Sequence, residues 1–158
     1  MKVQIAALAL AVLAGCTPGA DRSTSLSSTA GAASIVTIDV SLTEHAPTTT
    51  PEGSSGGYAP PVTIVPLGSF VRFVNSDSFA HTATFIGAAQ MTAVFPASSP
   101  FGAGDLQQFG MSISLGWSSG ALQPGASSQL FLADKAGTYL YGCFFHYGSP
   151  MRGVIVVQ

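Results

Sequence analysis

At 158 residues the chain supports one domain of ordinary size with length left over for a leader and a linker, and it leaves no room for a second catalytic domain. Charged residues make up only 8% and apolar ones 47%, with 18 Gly and 10 Pro, so Ser, Thr, Gly and Gln must cover most of the surface, a weakly charged all-β composition. Five Lys and Arg against seven Asp and Glu give a net charge of -2 with no basic run, which excludes nucleic-acid binding.

The N-terminal stretch reads as an export signal: a short basic start at Met1-Lys2, an apolar run from Val3 to Leu13, then Ala14-Gly15 before Cys16. The run is too short to span a bilayer. The box Leu13-Ala14-Gly15-Cys16 resembles the bacterial lipoprotein cleavage site. That resemblance implies removal of residues 1–15, a lipid on Cys16, and an exported domain tethered to a bacterial membrane, in the periplasm or on the cell surface. The rival reading is an ordinary secretory signal with Cys16 a bystander. If Cys16 is acylated, Cys143 is left as a single thiol in an oxidising compartment, where a disulfide would otherwise help, and it needs another explanation.

Residues 16–33 are mostly Ser, Thr, Ala, Gly and Pro without hydrophobic period and are expected to be a flexible tether. The ordered domain is expected over 34–158. Val36, Ile38, Val40 and Leu42 alternate with polar residues as in a half-buried strand. A polar loop is expected from His45 to Pro61, where His45 reads as a solvated loop residue. Strand-like runs follow at Val62–Leu67, Phe70–Asn75, His81–Ile86, Met111–Leu115, Ser128–Leu132, Thr138–Cys143 and Gly153–Val157. Between Ile86 and Met111 a long, partly packed loop is expected, with room for one short helix, and Met91 and Met111 read as packing residues. About eight short segments without a sustained helical period point to a Greek-key β-sandwich or barrel.

The chemistry concentrates in Tyr139–Val157, which sets a thiolate, an imidazole and a thioether in one loop between two strands: Cys143, His146 and Met151, spaced Cys-x2-His-x4-Met. Thiolate, two imidazoles and a weak axial thioether suit copper that alternates between two oxidation states. The second imidazole comes from the segment after Asn75, where a turn leads to His81 at the head of the next run. One copper per chain, held by His81, Cys143, His146 and Met151, is the expected cofactor.

With those residues in place the chain resembles the cupredoxin family of blue-copper proteins, most of all its plastocyanin and pseudoazurin branch, over about residues 35 to 158. Asn75 six residues before His81 matches the family's strand-ending Asn, and Tyr139-x-Tyr141-x-Cys143 matches its approach to the cysteine. The chain departs where Phe145 replaces the common Pro before the loop histidine and where Thr82 replaces the common Asn after the upstream one. Those departures bear on potential and loop rigidity. The Thr82 hydroxyl is expected to tie its loop to the backbone near Cys143, a bond of the kind that fixes ligand geometry.

The resemblance implies an electron carrier rather than an enzyme. Further histidines, needed for a second metal centre, are lacking in a chain that has three. It also implies that His146 is the electron port, ringed by Phe144, Phe145, Tyr147 and Pro150, with Gly148 admitting a partner. Redox partners are expected to dock briefly over a small apolar area with modest salt dependence. Asp77 and Arg152 read either as charges that orient a partner or as ordinary rim charges. The alternative function is a copper-binding module for copper storage or delivery to an oxidase, using the same four residues.

Overall fold

The computed structural model describes residues 33–87 and 94–158, all within one unit spanning Gly31–Gln158. The leader, Cys16 and most of the tether lie outside the described residues, as does Met91.

Among the described residues, twelve short strands form two main sheets and a hairpin. Strand β1 (Ile35–Val40) lies parallel to β6 (Phe70–Asn75), pairing Ile35 with Phe70 through Val40 with Asn75. With β4 (Tyr58–Ala59) and β10 (Phe131–Leu132) they make a four-stranded sheet ordered β10-β6-β1-β4. The second sheet, ordered β5-β12-β11-β7-β9-β8, is built from β5 (Val62–Val65), β7 (Thr84–Phe85), β8 (Gln108–Phe109), β9 (Ser118–Ser119), β11 (Gly137–Gly142) and β12 (Arg152–Val157). Strands β11 and β12 pair antiparallel from Gly137–Val157 to Gly142–Arg152, so the chain between them is the loop carrying Cys143, His146 and Met151.

Alternation along the strands decides what enters the interior. From the first sheet come Ile38, Val40, Val71, Phe73 and Phe131; from the second come Val65, Tyr139, Tyr141, Ile155 and Val157. Trp117, fully buried, lies between them. Its ring stacks on Phe73 at 5.5 Å and meets Phe131 at 4.6 Å, and its indole N–H donates to the Ile113 carbonyl at 3.2 Å. A smaller cluster of Ile86, Phe95, Leu140, Tyr147 and Val154 packs together, with Phe101 against it. Strand β11 thus contributes Tyr139 and Tyr141 to one cluster and Leu140 to the other, and its last four residues are all buried.

Several expected elements are redrawn. The loop from His45 to Pro61 contains the hairpin of β2 (Thr48–Thr50) and β3 (Gly53–Ser55) as well as β4. Met111–Leu115 is a turn and not a strand: only Ile113 is buried, while Met111 and Leu115 are 71% and 81% exposed, so Met111 is not a packing residue. Ser128–Leu132 keeps a strand only at β10, and His81–Ile86 only at β7, with His81 forming an isolated bridge to Leu122. Residues 94–110 carry a 3₁₀ turn at Ala103–Leu106, then β8.

Strand β9 has no apolar side chain to announce it. Its serines are buried because their hydroxyls are satisfied: Ser118 Oγ donates to the Asp105 carbonyl at 2.6 Å, and Ser119 Oγ accepts the Ala83 N–H at 2.8 Å.

Candidate metal centre

Period-2 geometry delivers the thiol. Tyr139, Tyr141 and Cys143 occupy alternate positions, all in the main core cluster, and Cys143 follows the last residue of β11. Gly142, just before it, has no room for a side chain, since a Cβ there would lie 2.9 Å from the Tyr147 ring. The loop then closes on itself: the Ser149 and Met151 N–H groups both donate to the His146 carbonyl, at 2.9 and 3.1 Å, and the Cys143 N–H donates to the Met151 carbonyl at 3.0 Å. Cys143, His146 and Met151 are thereby held on one closed loop of nine residues between β11 and β12.

The fourth arrives from β6. Val71, Phe73 and Asn75 share its buried face, so the amide of Asn75 ends a row of apolar side chains and must be satisfied internally. Its Nδ2 donates to the carbonyls of Phe79 (2.9 Å) and Leu122 (2.8 Å), and its Oδ1 accepts the Asp77 N–H at 3.0 Å. Asn75 therefore shapes the turn that carries His81 to its isolated bridge with Leu122, where the His81 N–H donates to the Leu122 carbonyl at 3.1 Å.

Here His81, Cys143 and His146 converge, with ligand atoms all within 4.8 Å of one another. Cys143 Sγ lies 3.8 Å from His81 Nδ1 and 3.6 Å from His146 Nδ1. His81, Cys143 and Met151 are fully buried, while His146 is part-exposed. Met151 packs against Gly57: a Cβ on Gly57 would stand 2.5 Å from Met151 Cγ and 3.2 Å from its Sδ. Gly57 also has φ +72°, so this position requires glycine twice over.

The surroundings hold the donors in place. The Thr82 N–H points at Cys143 Sγ from 3.4 Å, and Thr82 Oγ1 accepts the Phe144 N–H at 2.8 Å, so Thr82 joins both sides of the site. His81 Nε2, turned away from the sulfur, faces Asp77 Oδ2 at 3.1 Å. Asp77 is 5% exposed and is not a rim charge. The other rim candidate, Arg152, stacks over the Tyr147 ring at 4.1 Å and donates Nε–H to the Tyr147 carbonyl at 3.1 Å.

Burial pushes the Cys143 thiol up, against the opposing Thr82 N–H. Burial pushes His81 down, with Asp77 opposing; it also pushes His146 down, with His81 reinforcing and Asp77 opposing. Both imidazoles therefore favour the neutral state, in which a ring nitrogen offers a lone pair. For Asp77, burial pushes up, but bonds from the Ser78 N–H, His81 and Thr43 prevail and hold the carboxyl down to about 2.

The aromatic rim differs from expectation. Phe145 is 43% exposed and Phe144 and Pro150 are partly so, but Tyr147 is only 2% exposed. Its ring packs edge-on to Phe101 and beneath Arg152, and its hydroxyl donates to the Pro96 carbonyl at 3.0 Å. Tyr147 thus buttresses the loop from inside. Phe79, which sequence reasoning passed over, takes a place on the rim: 36% exposed, its ring 4.8 Å from that of His81 and 5.4 Å from that of His146. Its position two residues before His81 in a polar turn was the available signal. His45, read as solvated, pairs its Nε2 with Asp39 Oδ2 at 2.6 Å.

No protein-family model matches the chain, and no curated protein matches it. Among solved structures it is similar to a purple cupredoxin from Nitrosopumilus maritimus, at 22% identity and a TM-score of 0.48, over 78% of this chain and 99% of that one. It is also similar to Cu(I) structures of two amicyanin variants: one at 17% identity and a TM-score of 0.48, covering 78% of this chain and 82% of that one; the other at 18% and 0.49, covering 80% and 85%.

Proposed function

We propose that the protein is a mononuclear blue-copper electron carrier of the cupredoxin type, with one copper held by His81, Cys143, His146 and Met151. The observation that carries this reading is the convergence of the buried Cys143 thiol with Nδ1 of His81 and of His146, ligand atoms within 4.8 Å of one another, with the fully buried Met151 on the same loop. The donor set fits the ion: soft sulfur and neutral imidazole select copper over hard cations. Copper bound there supplies a one-electron couple.

The protein's own contribution is constraint. The Thr82 bonds, the closed His146–Met151 turn and the Asn75 network hold the donors before any ion arrives. A site preorganised in this way changes little between oxidation states, which favours rapid electron exchange. Burial of His81, Cys143 and Met151 leaves His146 as the one part-exposed donor, which restricts access to the ion and disfavours its ready release, so carriage of electrons is preferred to storage or delivery of copper.

His146 is proposed as the port, with Phe145, Phe144, Pro150 and Phe79 as the apolar ground on which a redox partner docks briefly. The domain is further proposed to be exported and lipid-anchored through Cys16, with residues 16–33 as tether; this rests on the sequence of the leader.

The function is tested by voltammetry of the copper-loaded domain in the presence of a competing chelator. A reversible one-electron wave and copper exchange over hours are expected. An irreversible wave with rapid loss of copper to the chelator would overturn the carrier and favour the delivery module.

A further inference from the structure

Asp77 is nearly inaccessible, and among the described residues its ionic partner is a histidine rather than a Lys or Arg. Burying a carboxylate costs several kcal/mol unless it is paired and hydrogen-bonded. Here the bonds are numerous: Oδ2 accepts the Leu42 N–H at 2.8 Å and the Thr43 N–H at 3.3 Å, and Oδ1 accepts the Thr43 hydroxyl at 3.2 Å and the Ser78 N–H at 2.8 Å. The turn after β1 and the turn before His81 are thus both tied to this one side chain. These dipoles fix the carboxylate but cancel none of its charge, and the remaining contact, Oδ2 to His81 Nε2 at 3.1 Å, is aimed at the centre.

We propose that Asp77 is the counter-charge built into the metal centre: it takes the Nε2–H of His81, so that Nδ1 is the nitrogen presented beside Cys143, and it biases the centre toward the more highly charged state of a bound ion. The proposal rests on the copper reading for its redox consequence, but not for the ring geometry. A ligating imidazole whose other nitrogen donates to a carboxylate has its tautomer fixed and its basicity raised. A fixed negative charge beyond the ring stabilises Cu(II) more than Cu(I). Asp77 is a positioning residue; it does not touch the ion.

Loss of such a partner typically costs ten- to a hundredfold in metal affinity. Asp77→Asn keeps the size and one acceptor oxygen while removing the charge. Affinity for Cu(II) is expected to fall about tenfold and affinity for Cu(I) by less. A full tenfold differential corresponds to a reduction potential about 59 mV higher.

The test has two parts on the full domain. In the copper-free wild type, 15N NMR of the imidazoles reads the His81 tautomer directly, and protonation at Nε2 is expected; protonation at Nδ1 overturns the proposal even if Asp77→Asn fails to fold. In wild type and Asp77→Asn, affinities for Zn(II), Cu(II) and Cu(I) and the potential are then compared. Weaker Zn(II) and Cu(II) binding with a raised potential supports the counter-charge. An equal loss for both copper ions with the potential unmoved, a lowered potential, or unchanged Zn(II) affinity overturns it. An absent blue band in the wild type would sink the electron-carrier reading by itself, while the tautomer and Zn(II) affinities still decide the role of Asp77.

Discussion

Two residues outside the donor set illustrate how little freedom the centre has. Gly57 combines φ +72° with close approach to Met151, so Gly57→Ala is expected to cost at least about 1 kcal/mol from backbone strain alone and to push the thioether off its seat. Chemical denaturation would register the first effect, and an altered ratio of visible bands in the copper-loaded protein the second. Thr82 is the second case. Thr82→Val keeps the shape but removes the acceptor of the Phe144 N–H, and a loss of about 1–3 kcal/mol with faster copper exchange is expected from thermal melts and chelator competition. At this scale the sequence was most legible, because Cys143, His146 and Met151 are close in the chain and their spacing is chemical information. What it concealed was direction: an Asp four residues before His81 looks like any turn residue until the fold shows Leu42 and Thr43 closing over it.

Among the elements, β1, β6, β11 and β12 are found where their apolar residues put them. Strand β6 buries Val71, Phe73 and Asn75, and β11 and β12 flank the donor loop. The pattern failed where burial rests on hydroxyl bonds or on a single anchor. Ser118 and Ser119 enter the second sheet through their side-chain oxygens, and Met111–Leu115 alternates like a strand while only Ile113 is buried. Ser119→Ala is therefore expected to destabilise by about 1–3 kcal/mol, since the buried Ala83 N–H loses its acceptor; urea titration checks this, and a change within error would contradict it. The turn at 111–115 is tied to Asp134, which accepts from the Ser114 N–H and hydroxyl. Burial pushes this carboxyl up, but the Ser114 bonds prevail and hold it below its usual 3.8. A folded value below the unfolded one stabilises above the unfolded value and is lost as pH falls through the folded value. Acid titration of stability should accordingly show a shallower loss below about pH 4 in Asp134→Asn than in wild type.

For the whole molecule, the all-β sandwich follows from short strand-like segments without a sustained helical period, and its interior is set by aromatics from both sheets around Trp117. Trp117→Ala is expected to cost about 3–5 kcal/mol in denaturant unfolding, enough to threaten a domain whose total stability is on the order of 5–15 kcal/mol. Copper binding to the folded state alone should raise stability by about 2.7 kcal/mol at a hundredfold excess over the dissociation constant. The visible spectrum of the domain loaded with Cu(II) tests the proposed copper centre most directly. An intense thiolate-to-copper band, abolished in Cys143→Ser while the fold persists, is the predicted result; a pale wild-type solution, or a band indifferent to loss of Cys143, would contradict it.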